Sequence, residues 1–344
     1  MPNMIFRSKA PLRIGLAGGG TDVSPYADLY GGAILNATIS LYAYASIELI
    51  DTPEIIIEAA DRNEKITLPV SSELPIDGTL DLAKGVYNRV MKDYPFTPVG
   101  FRLTTFVDAP AGSGLGTSST LMVAILGAFA EWQKLPLGDY DMAHYAYEIE
   151  RKDLAMAGGR QDQYAATFGG VNFMEFYADD KVIVNPLRIK QQYLYELENN
   201  LLLYFTSTSR LSSAIIETQS RNVTSKNEKS IDAMHHLKEQ AQMMKESLLR
   251  GKLHQIGTIL DFGFQYKKQM AEGISNPMLD EMYETAVAAG ATGGKISGAG
   301  GGGFMIFYCP GTKRYDVIKA MERFGGAFKP YRFVQDGLAT WTTV

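Results

Sequence analysis

The sequence predicts an α+β fold of about two domains, and three observations support this prediction. The chain has 344 residues, roughly twice the length of a common domain. Apolar residues make up 46% and charged residues 21%, a balance that suits a sizeable core and excludes a wholly disordered chain. Strand-like and helix-like segments follow one another without strict alternation, which favours α+β over a doubly wound parallel sheet.

The charge and the cysteine content narrow the class of protein. A net charge of -5 gives no global attraction to nucleic acid or to anionic lipid, so neither is expected as a partner. Cys309 is the single cysteine, which excludes an internal disulfide and suits a reducing compartment. The most apolar helical stretch, 121–130, is far shorter than the roughly 20 residues that span a bilayer. With no apolar core of signal-peptide length near Met1, a cytoplasmic protein with no membrane contact is expected.

The spacing of apolar and β-branched residues predicts the elements in order. The predicted strands are 33–50, 101–107, 171–176, 201–206 and 304–308. The predicted helices are 118–132, 139–154 and packed helices within 230–259. The polar stretch 179–198 predicts a boundary between an N-terminal domain, 1–185, and a C-terminal domain, 186–344.

The second of three glycine-rich segments, 110–119, is the strongest functional signal. A predicted strand leads into glycines at 112, 114 and 116, and Thr117 and Ser118 then open an apolar helix. Glycine lets backbone N–H groups approach an anion closely, and the helix N-terminus adds its dipole and unpaired donors. No lysine follows the last glycine, so this is not a Walker A loop. The segment predicts a phosphate cradle, and the alternative is a helix capped by Thr117 or Ser118.

The other two glycine-rich segments, 15–22 and 295–304, are weaker signals. The third contains a formal Gly-x-Gly-x-x-Gly match but leads into a strand, which disfavours a dinucleotide site. Its alternative is a tight loop that another backbone approaches. The first places Arg13 and Asp22 on either side of a glycine run, where they could hold an anionic or hydroxyl-bearing ligand. Its alternative is a turn in which Asp22 caps a helix over 23–30.

Taken together in this order, the three segments resemble the GHMP small-molecule kinases over nearly the whole chain. The second segment, with its Pro-x-Gly-x-Gly-Leu-Gly-Thr-Ser form, is the most specific part. The resemblance implies a two-domain α+β fold with ATP, Mg²⁺ and a small-molecule substrate in the cleft between the domains. It assigns ATP binding to Pro110, Gly112, Ser113, Gly114, Leu115, Gly116, Thr117, Ser118 and Ser119.

The same resemblance implies the catalytic residues. Ser118 and Glu150 match the hydroxyl and the carboxylate that meet the magnesium ion, with Glu148 as the competing residue. Asp162, in a Gly-x-x-Asp-Gln run, matches the aspartate beside the attacking hydroxyl, and Arg13 matches the cation that pairs with it. A carboxylate in that place can accept the proton or orient the hydroxyl.

The first segment also narrows the expected substrate. Galactokinases carry Glu-His where this sequence has Gly19 and Gly20, so most of the side chains that bind galactose are missing, although Asp22 could still bind a sugar hydroxyl. Gly19, Gly20 and Asp22 remain the predicted substrate-binding residues of this segment. The segment is most similar to D-glycero-D-manno-heptose 7-phosphate 1-kinases and next to fucokinase domains. This implies phosphorylation of the anomeric hydroxyl of a sugar phosphate. A fucokinase-like enzyme and a non-catalytic sugar- or nucleotide-binding regulator are the alternatives.

A substrate that already carries a phosphate requires cations in the cleft. Arg160, two residues before the proposed catalytic aspartate, is the predicted cation, because a guanidinium presents a planar fork of donors. Lys152 and Arg210 could assist it. The alternative is that Arg160 pairs with a neighbouring carboxylate, such as that aspartate. Gly300 and Gly301 of the third segment are expected to close over the substrate.

Overall fold

The fold was analysed in a computed structural model that describes residues 4–207 and 212–343. Its strands form an eight-stranded mixed sheet and a four-stranded antiparallel sheet, with helices packed around both. This architecture confirms the predicted α+β class. Among the described residues, every helix is too short or too polar to cross a membrane.

The strands are numbered in chain order. They are β1 (Ile5–Ala17), β2 (Gly32–Leu49), β3 (Glu54–Ala59), β4 (Glu64–Pro69), β5 (Phe101–Val107), β6 (Val171–Phe176), β7 (Val182–Pro186), β8 (Leu201–Phe205), β9 (Gly293–Ile296), β10 (Phe304–Tyr308), β11 (Ala327–Phe328) and β12 (Ala339–Thr343). Strands β8 to β11 form the smaller sheet, in the order β11-β8-β10-β9. The larger sheet has the order β12-β1-β2-β5-β3-β4, with β6 on β2 and β7 on β6.

The helices are also numbered in chain order. They are α1 (Tyr26–Tyr30), α2 (Asp81–Asp93), α3 (Thr117–Gln133), α4 (Asp139–Glu148), α5 (Gln161–Phe168), α6 (Gln191–Asn200), α7 (Ser212–Thr224), α8 (Glu228–Leu249), α9 (Ile256–Met270), α10 (Pro277–Ala288) and α11 (Lys313–Met321). A π-helical turn, Ile149–Asp153, continues α4, and two short 3₁₀ turns occur at Leu253–Gln255 and Glu322–Phe324.

Most predicted elements are confirmed, and the differences are local. The strands at 101–107, 171–176 and 304–308 have the predicted bounds. The predicted helix 139–154 instead ends at Glu148 and widens into the π turn, a feature that is common at functional sites. The division at 185/186 stays a prediction. Strand β7 ends at Pro186, and β12 returns from the end of the described chain to pair with β1.

The C-terminal half of β1, which leads into the first glycine-rich segment, is buried. Burial alternates along β1 from Ile5 to Ala10, as expected for a strand with one solvated face, and then continues unbroken from Pro11 to Ala17. Helix α3, apolar on most of its surface, packs across β1 and β2 as part of the main core. The backbone N–H of Arg13, just before the first segment, donates to the carbonyl of Leu115 in the second segment at 3.2 Å.

Candidate active site

A cavity of about 950 Å³ opens where the three glycine-rich segments meet. The second segment, including the first turn of α3, forms one wall of the cavity. The cavity-lining residues of this segment include Gly112, Gly114, Gly116, Thr117, Ser118 and Ser119. Of the remaining residues predicted to bind ATP, Pro110 is exposed, whereas Ser113 and Leu115 are buried beneath the loop.

Gly116 is the N-cap residue of helix α3, and its backbone is left-handed with φ of 75°. A Cβ at this position would lie 3.0 Å from Cγ of Asp162, so glycine is favoured both by its backbone and by the close approach of that carboxylate. Because glycine has no side chain, it cannot cap the helix, and the first-turn N–H groups stay available for an anion. The alternative of a cap by Thr117 or Ser118 is therefore wrong.

The third glycine-rich segment braces the second. The Ser297 hydroxyl donates to the Gly114 carbonyl at 2.8 Å, and a Cβ on Gly298 would lie 2.5 Å from Cα of Gly114. This confirms the alternative of a tight loop approached by another backbone. Gly298 and Ala299 line the cavity.

Gly300 and Gly301 lie on a different side of that loop. The N–H of Gly301 donates to the Ile274 carbonyl at 2.8 Å, and a Cβ on Gly300 would lie 2.8 Å from Cα of Ile274. The two glycines therefore pack against Ile274 rather than lining the cavity. This position does not support the expectation that they close over the substrate.

Arg13 and Asp162 form a buried ion pair at the start of α3. Arg13 Nε donates to Asp162 Oδ1 at 2.6 Å, and Arg13 Nη1 donates to the Gly114 carbonyl at 2.6 Å. The Arg13 side chain is 5% exposed and the Asp162 side chain 20% exposed. The arginine thus fixes a carboxylate that still faces the cavity, directly beside the phosphate loop.

Ser118 and Glu150 form the second polar pair at this end of the cavity. The Ser118 hydroxyl donates to Glu150 Oε1 at 2.8 Å, and Gln163 Nε2 donates to Glu150 Oε2 at 2.7 Å. Arg151 Nη1 lies 3.2 Å from Glu150 Oε1. The π turn therefore places a buried, hydrogen-bonded carboxylate beside the first turn of α3.

The competing glutamate lies elsewhere. Glu148 Oε2 accepts from Arg89 at 2.9 Å, and Glu148 Oε1 lies 3.2 Å from the Lys152 ammonium. Lys152 also meets Asp180 at 2.9 Å. Neither Glu148 nor Lys152 lines the cavity.

Asp22 is a cap as well as a cavity residue. Its Oδ2 accepts from the backbone N–H groups of Arg160 at 2.9 Å and Gln161 at 3.1 Å, at the start of α5. Burial raises the pKa of this carboxyl, against the lowering effect of the Gln161 hydrogen bond. Asp22 therefore caps α5 and not a helix over 23–30.

The prediction that Arg160 binds a substrate phosphate is wrong. Its Nη2 lies 2.5 Å from Asp28, and its Nη1 donates to the Tyr177 carbonyl at 2.6 Å. Its backbone N–H donates to Asp22, but its side chain does not line the cavity. The alternative of a carboxylate partner is confirmed, although the partner is Asp28 rather than Asp162. Arg210 lies outside the described residues.

Lys267 and Lys295, which the sequence reasoning missed, also line the cavity. Lys267 Nζ donates to the Gly298 carbonyl at 2.5 Å, and Lys295 Nζ donates to the Gly15 carbonyl at 2.9 Å. Both side chains are buried. Burial lowers the pKa of Lys267 to about 8 and lowers the pKa of Lys295 well below its ordinary value.

Comparison with known protein families agrees with this site. The model of the GHMP kinases N-terminal domain matches residues 81–170, which contain the phosphate loop, Glu150 and Asp162. The model of the GHMP kinases C-terminal domain matches residues 244–327, which contain Lys267, Lys295 and the third glycine-rich segment. The chain belongs to the GHMP kinase family.

Individual relatives of this GHMP kinase match more than nine-tenths of its length. A Campylobacter jejuni protein named D-glycero-alpha-D-manno-heptose 7-phosphate kinase is 47% identical and covers 97% of this chain and 98% of that protein. A Bacteroides thetaiotaomicron crystal structure, described as a D-glycero-D-manno-heptose 1-phosphate kinase, is 47% identical with a TM-score of 0.84 and covers 98% of both chains. The Arabidopsis thaliana bifunctional fucokinase/GDP-fucose pyrophosphorylase is 26% identical over 93% of this chain and 31% of that protein.

The lysines of this GHMP kinase did leave a signal in the sequence. In α9 the buried positions recur three to four residues apart, and Lys267 occupies one of them between Phe264 and Met270. In β9 every residue is buried, including Lys295. A lysine on an apolar face with no nearby acidic residue in the pattern points to a tertiary partner or a ligand.

Proposed function

We propose that this GHMP kinase transfers the γ-phosphoryl group of ATP to the anomeric hydroxyl of D-glycero-D-manno-heptose 7-phosphate, giving the 1,7-bisphosphate. The Campylobacter jejuni relative, 47% identical along nearly its whole length, supports the choice of sugar. The observation that carries the chemistry is the Asp162 carboxylate, fixed by Arg13 at 2.6 Å and set against the start of α3.

The proposed reaction is an in-line displacement. The anomeric oxygen forms a bond to the γ-phosphorus as the bond to the β-phosphate oxygen breaks, and ADP leaves. Asp162 accepts the proton of the anomeric hydroxyl or orients that hydroxyl for attack. Arg13 holds the carboxylate in place through Nε, while its hydrogen bond to Gly114 couples the pair to the phosphate loop. The N–H groups at the start of α3 bind the phosphates of ATP.

We also propose that Ser118 and Glu150 hold Mg²⁺ together with the ATP phosphates. Their oxygens are hard donors that suit this ion, and they lie 2.8 Å apart beside the phosphate loop. Within the described ranges, no group of three or more His, Cys, Asp or Glu side chains could hold a metal. A magnesium ion shared with substrate phosphates needs only one or two protein ligands, so this donor set fits. When bound, the ion neutralises charge on the transferred group.

The names of the Campylobacter jejuni and Bacteroides thetaiotaomicron proteins place the phosphate at different carbons, so the position of the new phosphate must be determined directly. We would incubate the protein with MgATP and a panel of heptose 7-phosphate, unphosphorylated heptose, L-fucose and galactose, and follow product formation by ³¹P NMR. The expected result is a strong preference for heptose 7-phosphate and a new signal coupled to the anomeric proton.

Other outcomes of that assay separate the alternatives. A preference for unphosphorylated fucose would support a fucokinase-like enzyme. Sugar binding without ATP consumption for any sugar would support a regulator. A new phosphate on a carbon other than C1 would contradict the proposed position of transfer.

A further inference from the structure

We infer that Lys267 and Lys295 bind the phosphate group that the sugar substrate already carries, in the space above Gly19. The geometry at Gly19 defines this space. A methyl carbon on Gly19 would lie 3.5 Å from Lys267 Nζ and 3.8 Å from Lys295 Nζ, and no other heavy atom of the described residues outside Gly19 and its chain neighbours lies within 4 Å of that point. Two ammonium groups therefore flank one open position of atomic size.

The hydrogen bonding of the two ammonium groups is incomplete. Each group carries three donors, yet Lys267 Nζ meets the Gly298 carbonyl and Lys295 Nζ meets the Gly15 carbonyl. Within residues 4–207 and 212–343, neither forms an ion pair with a carboxylate, whereas Arg13 in the same cavity is paired with Asp162. Donors remain on both lysines for an anion.

The local charge balance favours an anion as well. Three cations, Arg13, Lys267 and Lys295, and two carboxylates, Asp22 and Asp162, act on one another's charge in this part of the cavity, whose wall also includes Glu217. Arg13 is already paired with Asp162, and Asp22 is the carboxylate whose charge acts on Lys267. Buried charges that the protein leaves unpaired are costly, and a bound phosphate would neutralise them.

The sugar phosphate is a better occupant than the γ-phosphate of ATP. The ATP phosphates have their own binding groups at the start of α3. The lysines come from α9 and β9, and their ammonium groups flank Gly19 of the first glycine-rich segment. Lys267 Nζ donates to the Gly298 carbonyl of the third segment, and Lys295 Nζ donates to the Gly15 carbonyl of the first. Beside them Gln161 Oε1 is a buried acceptor with no hydrogen-bond partner among the described residues, and it lies 4.0 Å from a Cβ position on Gly15. An acceptor for a sugar hydroxyl thus adjoins two donors for a phosphate.

The proposal rests on the proposed function for the identity of the sugar, and its test is built on substrate differences. The variants are Lys267→Gln, Lys295→Gln and Gly19→Ala. The last would place a methyl group in the proposed phosphate position, at a residue whose backbone is not left-handed. Lys268→Gln is the matched control, because Lys268 lies on the same helix but faces Asp280 at 3.6 Å.

The first readout is the ratio of kcat/KM for heptose 7-phosphate to that for unphosphorylated heptose. We expect this ratio to fall by about tenfold or more in each of the three variants and to stay unchanged in Lys268→Gln. The KM for ATP should stay within about twofold of wild type. Equal losses with both sugars, together with a raised KM for ATP, would mean that the lysines bind the nucleotide and would overturn the proposal. An unchanged ratio would also overturn it.

A second readout separates this proposal from the proposed function. Calorimetric titration with inorganic phosphate is carried out at saturating ADP, so that the phosphate loop is occupied. Wild type and Lys268→Gln should bind phosphate, and Gly19→Ala should bind about tenfold more weakly or not at all. Absence of phosphate binding by wild type would refute the lysine site even if heptose 7-phosphate is the preferred sugar. Binding by wild type with the expected loss would support the site even if another sugar phosphate proves to be the substrate.

Discussion

Lys84 and the pair Lys267 and Lys295 are all buried, but they differ in what meets the charge. Lys84 Nζ lies 2.5 Å from Asp77 and 2.8 Å from Asp81, near the start of α2. The ammonium groups of Lys267 and Lys295 each meet a backbone carbonyl instead. Among residues 4–207 and 212–343, carboxylates therefore form ion pairs with Lys84 but not with Lys267 or Lys295.

The pKa values respond to this difference. Burial acts to lower the pKa of Lys84, but the hydrogen bonds with Asp77 and Asp81 outweigh it, and the pKa lies above its ordinary value. Burial dominates for Lys267 and lowers its pKa to about 8. Asp77 and Asp81 neutralise Lys84, so this lysine stabilises the fold. Lys267 and Lys295 are instead available to the anionic ligand that we infer.

Breaking the cation–carboxylate pair of the cavity should have the largest effect. In Asp162→Asn the shape is kept but the proton acceptor is lost, so kcat should fall by roughly two to four orders of magnitude. Arg13 would then lack its carboxylate, as the two lysines do. Steady-state kinetics measures the loss, and nucleotide binding by calorimetry serves as the control and should survive. Near-normal turnover would contradict the assignment of Asp162.

A smaller effect is expected at the magnesium ligands. Glu150→Gln and Ser118→Ala should each raise the Mg²⁺ concentration needed for half-maximal activity by about tenfold, because each removes or weakens an oxygen ligand. Glu148→Gln is the matched control, since Glu148 is paired with Arg89 at 2.9 Å outside the cavity. If Glu148→Gln raises the required Mg²⁺ concentration and Glu150→Gln does not, then Glu148 rather than Glu150 is the magnesium ligand.

The smallest effect is on thermal stability, and its sign differs between the two kinds of lysine. Lys84→Met should lower the melting temperature of the ligand-free protein, because Asp77 and Asp81 lose their partner. Lys267→Met should raise it by a few degrees at about pH 7, because an unpaired buried charge is removed. Scanning calorimetry of both variants measures the contrast. A lower melting temperature for Lys267→Met would show that its charge is already balanced.

The pH dependence of stability provides a check on the expected stabilisation by Lys267→Met. The folded-state pKa of Lys267, about 8, lies below its ordinary value of 10.5, so the unfolded chain binds more protons between these two values. Stability should therefore rise with pH in that window, since the protonated lysine is the destabilising form. The advantage of Lys267→Met over wild type should be complete below about pH 8 and fade toward about pH 10.5.

Local signals in the sequence predicted the phosphate loop and its flanking elements well. Strand β5 has the predicted bounds, and α3 differs from its prediction by one residue at each end, because hydrophobic spacing and glycine placement act over a few residues. The prediction for Arg160 was wrong because its carboxylate partner, Asp28, lies 132 residues earlier in the chain. The lysine site was missed for the same reason, since α9, β9 and Gly19 meet only in the folded protein.

Strand β12 sets an order of events during synthesis. Residues 339–343 pair with residues 5–9 of β1, so one edge of the larger sheet is closed by a segment made more than 300 residues later. Until the ribosome reaches that segment, β1 presents unpaired backbone groups to any neighbouring nascent chain. Strand β1, which carries Arg13, is therefore among the first parts translated and among the last to gain all its neighbours. Until β12 is made, the growing chain depends on other contacts to cover the exposed edge of β1.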